Sequence, residues 1–111
     1  MGRFVVLYSA SESPREMMAN MSSEQMKAGM EAWTAWGEKA GDAIVDFGTP
    51  LQPVGRVDAN GGASATSRAS GYSILQADSK EQVEALLKDH PHLNMPGSSI
   101  DVLEVLPVPG S

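Results

Sequence analysis

The chain contains no cysteine at all. That excludes disulfide staples, a thiolate nucleophile and cysteine-bound metal, and it fits a reducing, cytoplasmic setting. No apolar run approaches the ~20 residues that a membrane-spanning helix needs. The opening Met1 to Ala10 segment has no convincing cleavage site and reads as a strand rather than a secretion signal. Basic residues are scarce: eight Lys and Arg against fourteen Asp and Glu leave a formal charge of −6. Phosphate neutralisation calls for the opposite balance, so nucleic acid is an unfavourable partner. There is no Gly-Lys-Ser/Thr after Gly61-Gly62 and no Gly-x-Ser-x-Gly elbow, which removes a phosphate loop and a hydrolase-type serine from consideration. What remains is 111 residues, 41% of them hydrophobic, enough for one core and not for two.

Periodicity supplies the elements. Arg3 to Tyr8 alternates with apolar residues on both faces: Phe4, Val6 and Tyr8 on one, Val5 and Leu7 on the other. Ser13-Pro14-Arg15-Glu16 carries a helix start, followed by Met17, Met18 and Met21. Ser22 and Gln25 fit a capping box, with Met21 and Met26 placed as a hydrophobic staple. From there Met26, Met30, Trp33, Gly37 and Ala40 recur at helical spacing until Gly41. Ala43 to Phe47 reads as a short strand. Val54 to Val57 and Ala63 to Ser67 are expected to pair around Asn60-Gly61, within a Gly-, Ala- and Ser-rich stretch that also reads as loop. Gly71 to Ala77 is a strand, Ser79 and Gln82 suggest a second capping box, and Val83, Leu86 and Leu87 stripe a helix that ends before Pro91. Ile100 to Val108 is the last strand.

The order β-α-β, hairpin, β-α-β predicts an α+β domain over residues 1–111: a ferredoxin-like, split βαβ antiparallel sheet with two helices on one face. Two helices cover only one side. The first and last strands are apolar on both sides, and exposed apolar area costs about 25 cal/mol per Å². A second copy packed sheet to sheet resolves the mismatch, so a homodimer is expected.

Several segments carry a resemblance. Trp33-x-x-Trp36, Lys39-Ala40-Gly41 and Gly48-Thr49-Pro50-Leu51-Gln52-Pro53 come first, followed by Gly71-Tyr72-Ser73-Ile74, His90-Pro91-His92-Leu93 and Glu104-Val105-Leu106-Pro107-Val108. In that order they resemble the YCII-related proteins of the dimeric α+β barrel superfamily. The resemblance implies a dimeric α/β barrel of largely unassigned biochemical role. Three departures stand out. The Asp-Gly-Pro-Phe motif of many relatives is replaced by Ser64 to Ser70, Leu106 stands where relatives often have Arg, and the first helices lack the histidine of a proposed His/Asp acid–base pair. That pair's chemistry does not transfer.

Candidate site residues follow from residue type. His90 and His92 flank Pro91, where they can offer two imidazole ligands or, alternatively, a helix-end charge and a backbone hydrogen bond. Two ligands without a third make a poor metal site, so no metal and no cofactor are expected. Asp46 shares a strand face with Ile44, so it reads either as an inward carboxylate able to act as a base or as a solvated strand end. Trp33 and Trp36, with Tyr8 and Tyr72 hydroxyls, can wall a small-molecule pocket or simply fill the core. The methionines carry the same alternatives. Arg56 and Arg68 can hold a ligand carboxylate or stand as edge-strand charges. The expected function is a small-molecule-binding dimer. Cofactor-independent proton transfer (a lyase or isomerase type of reaction) in a helix–sheet cleft suits the residues, with Asp46 as base and His92 or Tyr72 as polar partner. The alternative is a non-catalytic interaction dimer.

Overall fold

The computed structural model describes residues 1–63 and 67–109. Its elements are β1 (Gly2–Ser9), α1 (Pro14–Asn20), α2 (Ser23–Ala40), β2 (Ile44–Asp46), β3 (Arg56–Asp58), β4 (Gly61–Ala63), β5 (Ala69–Ala77), α3 (Lys80–Leu87) and β6 (Ser99–Glu104), with 3₁₀ turns at Gly41–Ala43 and Pro91–Asn94. Four strands form an antiparallel sheet in the order β2-β5-β1-β6. Since β1 runs antiparallel to both of its neighbours, β1 is parallel to β2 and β5 to β6. Each helical crossover therefore skips one strand, and the fold is a pair of interlocked split βαβ units. The mixed α+β class read from the sequence is present.

Local chemistry explains the helix boundaries. Ser13 Oγ accepts from the Glu16 amide to start α1. The Ser22–Gln25 capping box is complete, with both reciprocal bonds made, and Gly41 closes α2 at φ 55°. The second box is modified: Ser79 Oγ accepts from the Gln82 amide, but Gln82 Oε1 reaches back to Asp78 rather than to the cap itself. Two expectations are corrected. The last strand stops at Glu104 instead of Val108, although Val105 still donates to the Arg3 carbonyl. Beyond it Pro107 and Pro109 cannot donate to a ladder. The hairpin closes earlier than Ala63–Ser67, pairing Arg56–Asp58 with Gly61–Ala63, because Asp58 Oδ1 accepts from the Asn60 amide and Gly61 takes φ 118°. The Ser64–Thr66 part of that expectation lies outside the described residues.

Both helices that pack lie on one side of the sheet. Phe4, Val6 and Tyr8 of β1 and Leu75 and Ala77 of β5 meet Trp36 and Ala40 of α2 and Val83 and Leu87 of α3. Ile100 and Val102 of β6 and Ile44 of β2 flank them. Only the C-terminal half of α2 joins this core. Ser22 to Ala32 are exposed apart from half-buried Gly29, so Met26 and Met30 do not extend the apolar stripe inward. On the far side of the sheet Val5, Leu7, Tyr72 and Ile74 are half-buried and Leu103 is exposed.

The resulting shape is a slab of 45 × 44 × 19 Å with a radius of gyration of 15.5 Å, against about 13 Å for a compact domain of this length. Its accessible surface is 7592 Å², whereas a compact chain of this mass exposes about 5,900 Å².

One crossing is tight. Gly48 sits at φ 84°, and a Cβ there would overlap the Tyr72 carbonyl of β5. At Gly37 an added Cβ meets only the ring of Phe47, which is 40% exposed and has room to shift. Gly48→Ala is expected to lower the unfolding free energy by about 3 kcal/mol. Gly37→Ala should stay within about 1 kcal/mol of wild type, because helix propensity offsets the contact. Urea midpoints at constant m-value measure both.

Candidate functional site

The residues singled out as site candidates divide between the two faces of the sheet. Tyr8, Trp33, Trp36, His90 and His92 gather on the helix side. His90 lies 4.3 Å from Trp36, 4.4 Å from Trp33 and 4.9 Å from Tyr8, ring centroid to ring centroid. Trp33 meets Tyr8 edge-on at 4.8 Å. Such T-shaped pairs add to simple area burial.

Hydrogen bonds lock this cluster. Ser73 Oγ donates to the Phe47 carbonyl at 2.6 Å, and since a hydroxyl has one hydrogen, Tyr8 must be the donor in the 2.8 Å bond to Ser73. Burial pushes the Tyr8 phenol above its usual range, against a smaller opposing effect of the Ser73 bond. Tyr8 is accordingly a neutral, committed donor. Trp36 Nε1 donates to the Leu86 carbonyl at 2.9 Å, tying α2 to α3. His92 Nε2 donates to the Ser9 carbonyl at 2.8 Å.

His90 is the exception. Its Nδ1 accepts from the His92 amide at 3.0 Å, so the proton is on Nε2, and that buried atom has no hydrogen-bond partner. Burial, reinforced by His92, pulls its pKa down to about 4. The expected helix-end charge on His90 is therefore corrected: the ring is held neutral inside an aromatic cage.

Asp46 and Tyr72 lie on the opposite, open face. The register of β2 shifts between Ile44 and Asp46, so Ile44 pairs with Leu75 facing the helices while Asp46 pairs with Ile74 facing away. The expectation that Asp46 shares the inward face of Ile44 is thereby corrected, and its side chain is exposed. Asp46 Oδ2 accepts from the Tyr72 hydroxyl at 3.1 Å and Oδ1 from the Gly48 amide at 2.9 Å. The hydrogen bond to Asp46, and then its negative charge, raise the Tyr72 pKa. His92, on the other side of the sheet, does not join this pair. Of the two polar partners expected for Asp46, Tyr72 lies beside it and His92 does not.

The two arginines stand on other elements. Arg56 is on β3, in the separate two-stranded sheet. Arg68 lines a depression whose lining also includes Glu12 and Glu16. A second depression follows the outer face of α2 at Lys27, Met30 and Thr34. Trp33 and Trp36 border neither of the two. No group of three or more His, Asp or Glu able to hold a metal ion occurs among the described residues, nor is any helix there long and apolar enough to cross a membrane.

Sequence reasoning missed Ser73 and Phe47. Ser73 is a polar residue between Gly71 and Leu75 on the buried face of β5, and strand alternation would have marked it. Nothing local signals that Phe47 folds back over α2 near Trp33 and Trp36.

His90 makes stability pH-dependent. Its folded pKa lies below the unfolded value of 6.5, so the unfolded chain takes up the proton first. The advantage of keeping this ring neutral is complete above pH 6.5 and is lost as pH falls toward 4, about 3 kcal/mol over the whole interval. His90→Phe should flatten the fall in melting temperature between pH 7 and pH 5. An unchanged slope in that variant would assign the dependence to other groups.

Comparison of the chain with protein-family models gives no match, and comparison with curated proteins gives none.

Proposed function

We propose that the chain works in the cytoplasm as a ferredoxin-like homodimer of the dimeric α+β barrel kind, related to the YCII-type proteins. Two copies pack through their open sheet faces, and a small molecule is bound against that face. The surplus surface supports the dimer: about 1,700 Å² per chain beyond a compact monomer lies in the range that obligate homodimers bury per subunit.

The observation that carries the functional reading is the Tyr72–Asp46 pair, 3.1 Å apart on a face that also carries Val5, Leu7, Ile74 and Leu103, with Arg3, Gln76 and Asp101 among them. Apolar walls beside a carboxylate–phenol pair suit a small apolar ligand bearing an acidic C–H or hydroxyl. Covering the face removes water from around the carboxylate and the bound ligand. Asp46 takes the proton, and Tyr72 orients the carboxylate through its donated hydrogen bond. The helix–sheet cleft first expected to hold the ligand is occupied by the rings of Trp33, Trp36 and His90, so Tyr8, Trp33, Trp36 and both histidines serve the core in this reading. No cofactor enters it.

A second reading, a non-catalytic interaction dimer, is favoured by the same filled cluster together with exposed Met18 and Met30. The two part in one experiment. Native mass spectra of wild type should give a dimer carrying a small mass that Asp46→Asn or Tyr72→Phe reduces at least tenfold in occupancy. A bare dimer in every case would move the weight to the interaction reading. Val5→Asp should yield a folded monomer by light scattering and circular dichroism, and a wild-type monomer at micromolar concentration would overturn the sheet-to-sheet dimer.

A further inference from the structure

The hairpin between β2 and β5 has no core of its own. Every residue from Val54 to Gly62 is exposed, Val54 by 80% and Val57 by 85%. Its strands, three residues each, pair only with one another in a two-stranded sheet apart from the main one. An isolated hairpin of that size is marginal in water.

Its base, by contrast, is firmly set. Pro50 bridges Gly71, Leu51 donates to the Ser70 carbonyl at 3.0 Å, and Gln52 Oε1 accepts from the Arg15 amide at 3.1 Å. Half-buried Pro53 then fixes φ where the chain leaves the body. The hairpin is thus aimed outward from an anchored stem.

Area identifies what it meets. The open sheet face is four strands wide at about 4.8 Å each and roughly six residues long at about 3.4 Å, a footprint of about 400 Å². A stable interface takes about 800 Å² from each partner. In plan the sheet face falls well short of that. Two other apolar segments stand outside it. One is the hairpin. The other follows β6, where Leu103, Val105, Leu106 and Val108 are 45 to 71% exposed.

We infer that the Val54–Gly62 hairpin is a dimerisation arm that lies on the second copy of this chain, with Val54 and Val57 seated against the partner's apolar C-terminal segment. Twofold symmetry doubles the contact, because each chain offers one arm and one acceptor. The inference rests on the homodimer proposed above and adds where the remaining interface lies.

Hydrogen exchange read by mass spectrometry on the full-length wild-type protein tests it without a variant. At concentrations where light scattering reports a dimer, the amides of Val57 to Gly62 should be protected at least tenfold over a free peptide of the same sequence. That protection should vanish on dilution to monomer. Val54→Asp/Val57→Asp changes only exposed side chains, so the variant should keep the wild-type circular dichroism spectrum and raise the dimer dissociation constant at least tenfold. A wild-type dimer whose arm exchanges at the free-peptide rate, or whose dissociation constant the double variant leaves unchanged, overturns the arm while the sheet-to-sheet dimer stands. A wild-type chain that is monomeric throughout overturns both.

Discussion

The structure depends on the antiparallel pairing of β1 with β5 at the centre of the sheet. These are the only two strands with neighbours on both sides. Their helix-facing residues, Phe4, Val6, Tyr8, Ser73 and Leu75, form the floor on which both packed helices rest. Across that pairing the Tyr8 hydroxyl donates to Ser73, whose own O–H donates to the Phe47 carbonyl. One hydrogen-bonded chain thus joins the two central strands to the segment leaving β2. It also holds Phe47 over Gly37, where only a glycine admits the ring at this distance.

Polar groups on the helix side are almost all spent. The Tyr8 hydroxyl, the Trp36 indole N–H and His92 Nε2 each have one dedicated acceptor in protein backbone or side chain. Among the fully buried side-chain polar atoms of the described residues, His90 Nε2 alone is unmatched, and three aromatic rings surround it. An arrangement of this kind specifies how the core packs and leaves little reactive capacity. The open face is the reverse: a carboxylate–phenol pair and the charged Arg3 and Asp101 stand among half-buried and exposed apolar neighbours.

What could be read from sequence was whatever is encoded within about four residues. Ser22 with Gln25, Ser13 with Pro14, and Gly41 after Ala40 mark helix ends through bonds each cap makes to its own turn. Strand alternation placed Phe4, Val6 and Tyr8 together and predicted two covered faces from Val5 and Leu7. Asp46 was misplaced because a bulge depends on the partner strand: the slip between Ile44 and Asp46 exists only against Leu75 and Ile74. Met26 and Met30 were misplaced for a related reason. Helical periodicity tells which side of α2 they share, but not that the sheet ends before it reaches them. Of the aromatic candidates Trp33, Trp36 and Tyr8 lie together on the helix side while Tyr72 faces the other way, and no spacing rule distinguishes a packed cluster from a hollow one.

Tyr8 and Ser73 are 65 residues apart in the chain, and that separation governs how the protein is made. At ribosomal speeds of about 5–20 residues per second, β1 emerges roughly 3–13 seconds before the strand that completes it. During that interval Phe4, Val5, Val6 and Leu7 form a short strand apolar on both sides with unpaired edges, the kind of segment that other nascent chains can capture. Helix α2, with its self-contained cap, can form meanwhile from local bonds alone. Synthesis on a ribosome therefore exposes this strand well before its partner, and a holding chaperone acting on Phe4 to Tyr8 is the kind of assistance the topology calls for.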